Sequence, residues 1–314
     1  MNICDVAARL RGMDRILILT HVRPDGDTIG SATALCQALR DMGKESYLLY
    51  NPEITATYEP YARDYWAAEN WVPDHVISTD VAVIGLLPEN AAPYHDRIEL
   101  AIDHHPSYGH YAAESYVDAS AAACGEILYA IIRELTEITP AIALRLYVAI
   151  ATDTGCFVYS NTSADTHRIA AELMACDFGV AEVNKTLFRT KSKVRLKMEA
   201  HMAAHMELYD HDRVVVMSIP LRLREEMHAT EADIEELSSL AALVEGTDCA
   251  ITLRELPGGS VKISVRTGPR VNATEVCSRL GGGGHRAASG ATVKGTMDEV
   301  KQAILRAVEE VVGA

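Results

Sequence analysis

The sequence predicts an α/β domain with a mostly parallel sheet flanked by helices, followed by a smaller α+β domain. In the first half, short apolar runs alternate with longer helical patterns, the rhythm of parallel strands joined by crossover helices. After about residue 185 the pattern becomes β-rich, with two alternating stretches around Pro257-Gly258-Gly259 that read as a hairpin. At 314 residues the chain exceeds what one small core organises, so two domains are the natural division. The expected boundaries are residues 1–185, a helical connector at 186–209, and residues 210–314.

Ile16–Thr20 is an apolar run that ends in a polar, glycine-containing loop, His21–Gly30. Ser31–Met42 follows with a helical pattern closed by Gly43. Ser46–Tyr50, Val76–Thr79 and Leu100–Ile102 read as further strands, the last two ending at Asp80 and Asp103. The alanine-rich stretches 119–135 and 141–152 read as buried helices, and 164–176 as another. Segment 186–209 is helical and rich in Lys, Arg, Met and His. Arg213–Ile219, Cys249–Leu256 and Ser260–Arg266 are the strands of the second domain. Val271–Leu280 reads as a helix, and four glycines, 281–284, follow it. A helix-like segment opens after Arg286, and Met297–Val312 closes the chain as a helix.

Lys plus Arg number 29 against 44 Asp plus Glu, a formal net charge of −15. That argues against a protein that coats long nucleic acid, which needs clustered cations to displace counterions. A small anionic substrate remains compatible if positive charge is supplied locally. Seven cysteines, none in a C-x-x-C pair, point to reduced thiols in the cytoplasm rather than a disulfide scaffold or structural zinc. The N-terminus shows no apolar core of a secretory signal, and no apolar stretch is long enough to span a membrane.

Five local signals carry chemistry. His21-Val22-Arg23-Pro24-Asp25-Gly26-Asp27 places an imidazole and two carboxylates at a strand's C-terminal end, where open α/β sheets hold ligands. An Asp-x-Asp pair brings oxygen donors to one point, as divalent cations require, although D-G-D is also a common turn. Asp103-His104-His105 again follows a strand; one histidine can bind metal while the other faces a phosphate, or both can be exposed loop residues. Asp153, in Thr152-Asp153-Thr154-Gly155, and Asp80 are carboxylates at further element ends, positions that also suit caps and turns. Together His21, Asp25, Asp27, Asp80, His104 and Asp153 form a set that would repel itself unless cations neutralise it. Carboxylate and imidazole donors without thiolate suit Mn²⁺ or Mg²⁺, and two such ions about 3.5–4 Å apart are the usual device for phosphoester hydrolysis. Finally, glycines 281–284 with His285 and Arg286 offer backbone N–H groups and charged donors to an anion, with Arg266 at a strand end as a second clamp.

The order of these motifs resembles the DHH–DHHA1 phosphoesterase family, in particular its short oligoribonuclease/PAP-phosphatase members, over essentially the whole chain. The resemblance implies a DHH domain with two Mn²⁺ ions and a DHHA1 domain across a cleft that binds substrate. It implies that His21, Asp25 and Asp80 hold one metal, and that Asp27, Asp80, His104 and Asp153 hold the other, with Asp80 bridging. His105 would face the scissile phosphate, with Asp80 and Asp153 completing the catalytic set. Gly282, Gly283, Gly284, His285, Arg286 and Arg266 would grip the substrate. The apolar stretch Val81–Leu87 departs from the polar character often found beside this Asp. The implied activity is hydrolysis of nanoRNA oligonucleotides or pAp by a metal-activated water, with a cyclic-dinucleotide or pApA phosphodiesterase as the alternative. The glycine motif disfavours a pyrophosphatase of the same family, and the chain has no room for the extra domain of the long exonucleases. A catalytically silent nucleotide sensor would be signalled by a missing ligand, and every ligand can be named. The oligomeric state is left open, a homodimer included.

Overall fold

A computed structural model describes residues 1–312, which form two units, residues 1–190 and residues 191 onward. The first unit begins with α1 (Ile3–Arg11), β1 (Ile16–Leu19), α2 (Gly26–Asp41), β2 (Ser46–Leu48), a short α3 (Glu59–Ala62) and β3 (His75–Thr79). It continues with β4 (Ile98–Asp103), β5 (Glu114–Val117), α4 (Cys124–Leu135), α5 (Pro140–Asp153), α6 (Ala164–Met174) and α7 (Val180–Asn184). The five strands pair in the order β2-β1-β3-β4-β5, all parallel.

β1 is buried on both sides, which is why it reads as an unbroken apolar run. Ile16 and Ile18 join a core with Leu35, Leu39, Ile131, Leu146 and Ile150 from the helices, while Leu17 and Leu19 point to the other face with Val76, Leu87 and Ile98. Chain order reverses between β1, whose successor β2 lies on one side, and β3 on the other. A crevice opens at the carboxyl ends of such a pair, the usual ligand position in open α/β sheets.

The structure departs from expectation in three places here. α2 starts at Gly26, five residues before the expected Ser31, because Asp25 caps it, accepting from Asp27 N at 3.0 Å and Thr28 N at 3.1 Å. Two glycines weaken the helical pattern, yet they let α2 lie on α5: a Cβ at Gly26 would sit 2.3 Å from Thr152 Oγ1, and one at Gly30 would sit 2.5 Å from Arg145 O. α4 starts at Cys124 rather than 119. β5 was not expected; its sequence, Glu-Ser-Tyr-Val, is polar because it is an edge strand paired only to β4.

The second unit contains α8 (Lys193–Ala204), β6 (Glu207–Tyr209), β7 (Val214–Ile219), α9 (Leu221–Glu226), α10 (Glu231–Ile234), β8 (Cys249–Leu256) and β9 (Ser260–Thr267). It ends with α11 (Ala273–Ser278), β10 (Gly283–His285), β11 (Ala288–Lys294) and α12 (Met297–Val312). The sheet order is β10-β11-β9-β8-β7-β6, antiparallel except between β7 and β8. One face packs on α12 through Val300, Ile304 and Val308, the other on α8. Segment 186–209, expected as a helical connector, is helical only in part: α8 buries Met198 and Met202 against Val215 and Met217, and Glu207–Tyr209 is strand β6, held by pairing with β7. Segment 288–294, expected to be helix-like after Arg286, is a strand, because it pairs along its whole length with β9. Among the described residues, no helix is long and apolar enough to cross a membrane.

Candidate metal centre

Seven sequence-selected side chains of the first unit meet at the carboxyl ends of β1, β3 and β4. His21 follows β1, Asp80 follows β3, and Asp103-His104-His105 leaves β4. Asp25 and Asp27 come from the start of α2, and Asp153 is the last residue of α5. Three overlapping groups of donor atoms each lie within 4.8 Å of one another: His21, Asp25 and Asp80; Asp27, His104 and Asp153; and Asp80, His104 and His105.

The separations fit ligands of a shared cation rather than hydrogen-bonded pairs. His21 Nε2 lies 3.6 Å from Asp25 Oδ1 and 3.7 Å from Asp80 Oδ2. His104 Nε2 lies 3.5 Å from Asp80 Oδ1 and 3.7 Å from both Asp27 Oδ2 and Asp153 Oδ2. Such N···O distances are long for a hydrogen bond, while metal bonds of about 2.1 Å at about 110–120° put neighbouring ligands about 3.4–3.6 Å apart. Asp80 Oδ1 is buried without a hydrogen-bond partner, a costly state that a cation would relieve. The residues therefore fit a divalent cation with oxygen and nitrogen donors.

The imidazoles are oriented by their other nitrogens. His21 Nδ1 donates to Val22 O at 2.8 Å and His104 Nδ1 to Ala121 O at 3.2 Å, leaving the lone pair of each Nε2 free for a metal. His105 differs: its Nδ1 donates to Asp103 Oδ1 at 2.7 Å. The same oxygen accepts from the backbone N–H groups of His104 at 2.7 Å and His105 at 3.1 Å. Asp103, fully buried, thus fixes the backbone of both histidines and the ring of His105, a role its sequence context does not reveal. Its position as the last residue of an apolar strand, before two histidines, signals only its place.

Asp27 is also held from outside its helix. Its carboxylate accepts from Cys124 N at 2.7 Å, Gly125 N at 3.0 Å and Ser31 Oγ at 2.9 Å, so it caps α4, whose own N-cap, Ala123, has no side chain to do so. Asn161 Nδ2 donates to Asp153 O at 3.1 Å and Ala122 O at 3.0 Å, joining the ends of α5 and α4. Asp80 takes a left-handed backbone, φ 57°, immediately after its strand.

Burial first, then Asp153 and Asp25, push the Asp27 carboxyl well above the usual carboxylate range. Burial and then Asp27 do the same to Asp80, with Asp25, Asp103 and Asp153 adding to it. Asp153 is raised chiefly by burial. Burial would raise Asp25 too, but the adjacent His21 and the backbone N–H groups hold it below its ordinary value. Burial opposes protonation of His21, and Asp25 outweighs it, so His21 is raised. His105 is raised by its hydrogen bond to Asp103. This is a cluster of negative charge awaiting positive charge.

The second unit brings its selected residues together separately. The second half of the glycine run is a strand: Gly283 and Gly284 open β10, which pairs with β11, and a Cβ at Gly282, just before it, would sit 2.2 Å from Gly290 O. Gly284, at φ 147°, leaves no room beside Ala288 O. Gly283 is in the strand between them, and His285 ends it. Arg266 lies opposite Ala288 across β9 and β11. Arg266 and Arg286 bond backbone carbonyls, Val265 O at 3.2 Å and Pro269 O at 3.3 Å, and neither is paired with a carboxylate among the described residues.

Two family descriptions match this chain: DHH family, N-terminal domain, over residues 15–150, and DHHA1 domain, over residues 212–314. A Thermus thermophilus protein named bifunctional oligoribonuclease and PAP phosphatase NrnA is 33% identical over 307 residues, covering 94% of this chain and 89% of that protein. The chain belongs to the DHH–DHHA1 family. Among further DHH–DHHA1 relatives, a Bacillus subtilis protein of the same name is 27% identical, covering 89% of this chain and 90% of that one. The fold of an exopolyphosphatase-related protein from Bacteroides fragilis superposes with a TM-score of 0.89 at 21% identity, over 99% of this chain and 96% of that one. Asp103-His104-His105 lies within the stretch that the DHH description matches.

Proposed function

We propose that this DHH–DHHA1 chain is a metal-dependent phosphoesterase that hydrolyses short nucleotide substrates, oligoribonucleotides of a few residues and pAp. The observation that carries the reading is Asp80, whose two carboxylate oxygens face different donors, His21 on one side and His104 on the other. His21, Asp25 and Asp80 would hold one cation; Asp27, Asp80, His104 and Asp153 would hold a second. Two such ions, Mn²⁺ or alternatively Mg²⁺, supply charge neutralisation and a water acidic enough to ionise near neutral pH.

The chain's own part is to position and to donate. His105, its Nδ1 fixed by Asp103, keeps Nε2 for a phosphoryl oxygen, and its raised pKa favours the protonated ring that stabilises developing negative charge. Arg266, His285, Arg286 and the N–H groups of Gly282–Gly284 are proposed to bind substrate anions, the two guanidinium groups being free of carboxylates. A net charge of −15 then favours short substrates over long polymers. The names of the relatives support the same substrate class.

The test is a Mn²⁺ assay that offers pApA, pAp, cyclic di-AMP and pyrophosphate in parallel, with EDTA and His104→Ala as controls. We expect turnover of pApA and pAp that EDTA stops and that His104→Ala abolishes while leaving the fold intact, as read by circular dichroism. Near-wild-type turnover in His104→Ala, or pyrophosphate as the preferred substrate, refutes the reading.

A further inference from the structure

The turn after α5 is built from unfavourable backbone. Gly155, Cys156 and Phe157 take successive left-handed φ values of 56°, 56° and 66°, a conformation that is costly for residues carrying a Cβ. The turn is nevertheless locked. Val158 N and Tyr159 N both donate to Thr154 O, at 2.9 and 3.0 Å. Phe157 stacks on His167 with ring centroids 5.4 Å apart, and its other neighbour is Tyr147 at 5.8 Å. Asn161 ties the end of the turn to Asp153 O and Ala122 O.

This arrangement holds up Tyr159. Its ring folds back so that Cε1, Cζ and Cε2 cover Gly155, where a Cβ would lie 2.5 Å from Cζ. Gly155 is thereby doubly required, by its φ and by the ring above it. Tyr159 as a residue is nonetheless 61% exposed, and Val158 beside it is 79% exposed. Gly155 is two residues from Asp153, so their Cα atoms lie within about 7.6 Å. An aromatic ring with one side packed and the other free, on a stiff mount next to a phosphate-handling site, has the form of a base-stacking surface.

We propose that Tyr159, flanked by Val158, is a stacking platform for the nucleobase of the nucleotide whose phosphate lies at the Asp153 side of the metal centre. The proposal rests on the phosphoesterase reading for the position of that phosphate. Stacking uses the π-face common to all bases, so the platform selects nucleotides over base-free phosphates without selecting a sequence.

The test compares pAp with its abasic counterpart, ribose 3′,5′-bisphosphate, in wild type, Tyr159→Ala and Tyr159→Phe. We expect Tyr159→Ala to lower kcat/KM for pAp about 5- to 150-fold, mostly through KM, and to bring the preference for pAp over the abasic compound close to unity. Tyr159→Phe, which keeps the ring, retains that preference. A preference unchanged in Tyr159→Ala, or an equal loss on both substrates, overturns the proposal, the second because it marks a merely structural residue. A binding measurement needs no turnover: fluorescence of 2-aminopurine riboside 5′-monophosphate in Mg²⁺ buffer should be quenched by wild type and far less by Tyr159→Ala. If wild type hydrolyses neither bisphosphate, the phosphoesterase reading fails on its own, and the quenching still decides the platform: equal quenching by both proteins overturns it.

Discussion

Replacing Asp80 by Asn should stabilise the metal-free protein and destroy its response to metal. Asp80 is buried among Asp25, Asp27, Asp103 and Asp153, and its carboxyl is pushed well above 3.8, by burial first and by Asp27 next. A carboxylate raised in the folded state contributes fully below its ordinary value near 4 and becomes a liability as pH climbs through the folded-state value. Asn does not titrate, and its amide can donate to the neighbouring carboxylates. Asp80 Oδ1 is also buried without a hydrogen-bond partner, which costs about 1–3 kcal/mol, so a relief of that order is expected. For a domain of 150–250 residues that is about 2–12 °C in Tm. Thermal unfolding in EDTA should show the two proteins alike near pH 4 and Asp80→Asn ahead at pH 8. Added Mn²⁺ should reverse the order, because saturation at about 1,000 Kd lifts wild type by about 4 kcal/mol while the variant has lost the shared ligand. If the variant is no more stable than wild type in EDTA at pH 8, or its advantage does not vary with pH, the electrostatic argument is wrong. A full Mn²⁺ shift in the variant refutes Asp80 as a ligand.

Gly30→Ala should destabilise the protein by about 1–3 kcal/mol, against the gain of about 1 kcal/mol that Ala brings to an open helix, because its Cβ meets Arg145 O and Ala149 N, backbone atoms that cannot rotate away. Since α2 carries Asp25 and Asp27 and α5 ends in Asp153, a shift of about 1 Å should also lower kcat about 100-fold; full stability together with full turnover would contradict the packing account. Asp103→Asn should lower kcat about 10- to 100-fold with the fold kept, and should bring the His105 pKa down, as read by proton NMR against pH, because Asp103 is the main cause of its elevation. An unchanged His105 titration would show that Asp103 does not control that ring.

The site was more legible than some of the elements that carry it. His21, Asp80 and Asp103 could be placed because each stands at the end of a short, largely buried strand whose inner positions are mostly apolar. The start of α2 could not, because Gly26 and Gly30 weaken the local helical signal and are there for the approach of α5, a partner far away in sequence. β5 and β11 were missed for a related reason: edge or half-exposed strands gain their stability from ladder pairing, which leaves little apolar pattern. The role of Asp103 is not legible in the sequence, because it depends on the hydrogen bonds its carboxylate receives from His104 N, His105 N and His105 Nδ1 at the strand end.

The order of residue types along the chain by itself determined the fold class, the two sheets' principal strands and the set of donors that gather at one sheet edge. Tertiary structure alone decided that Asp80 faces two histidines at once, that Asp27 caps a helix from another element, and that a left-handed turn lays the Tyr159 ring over Gly155. The division has a physical cause. Periodicity and chain-local chemistry are written in neighbouring residues, whereas shared ligands, caps in trans and close helix approach are distances between residues that the sequence keeps tens of positions apart.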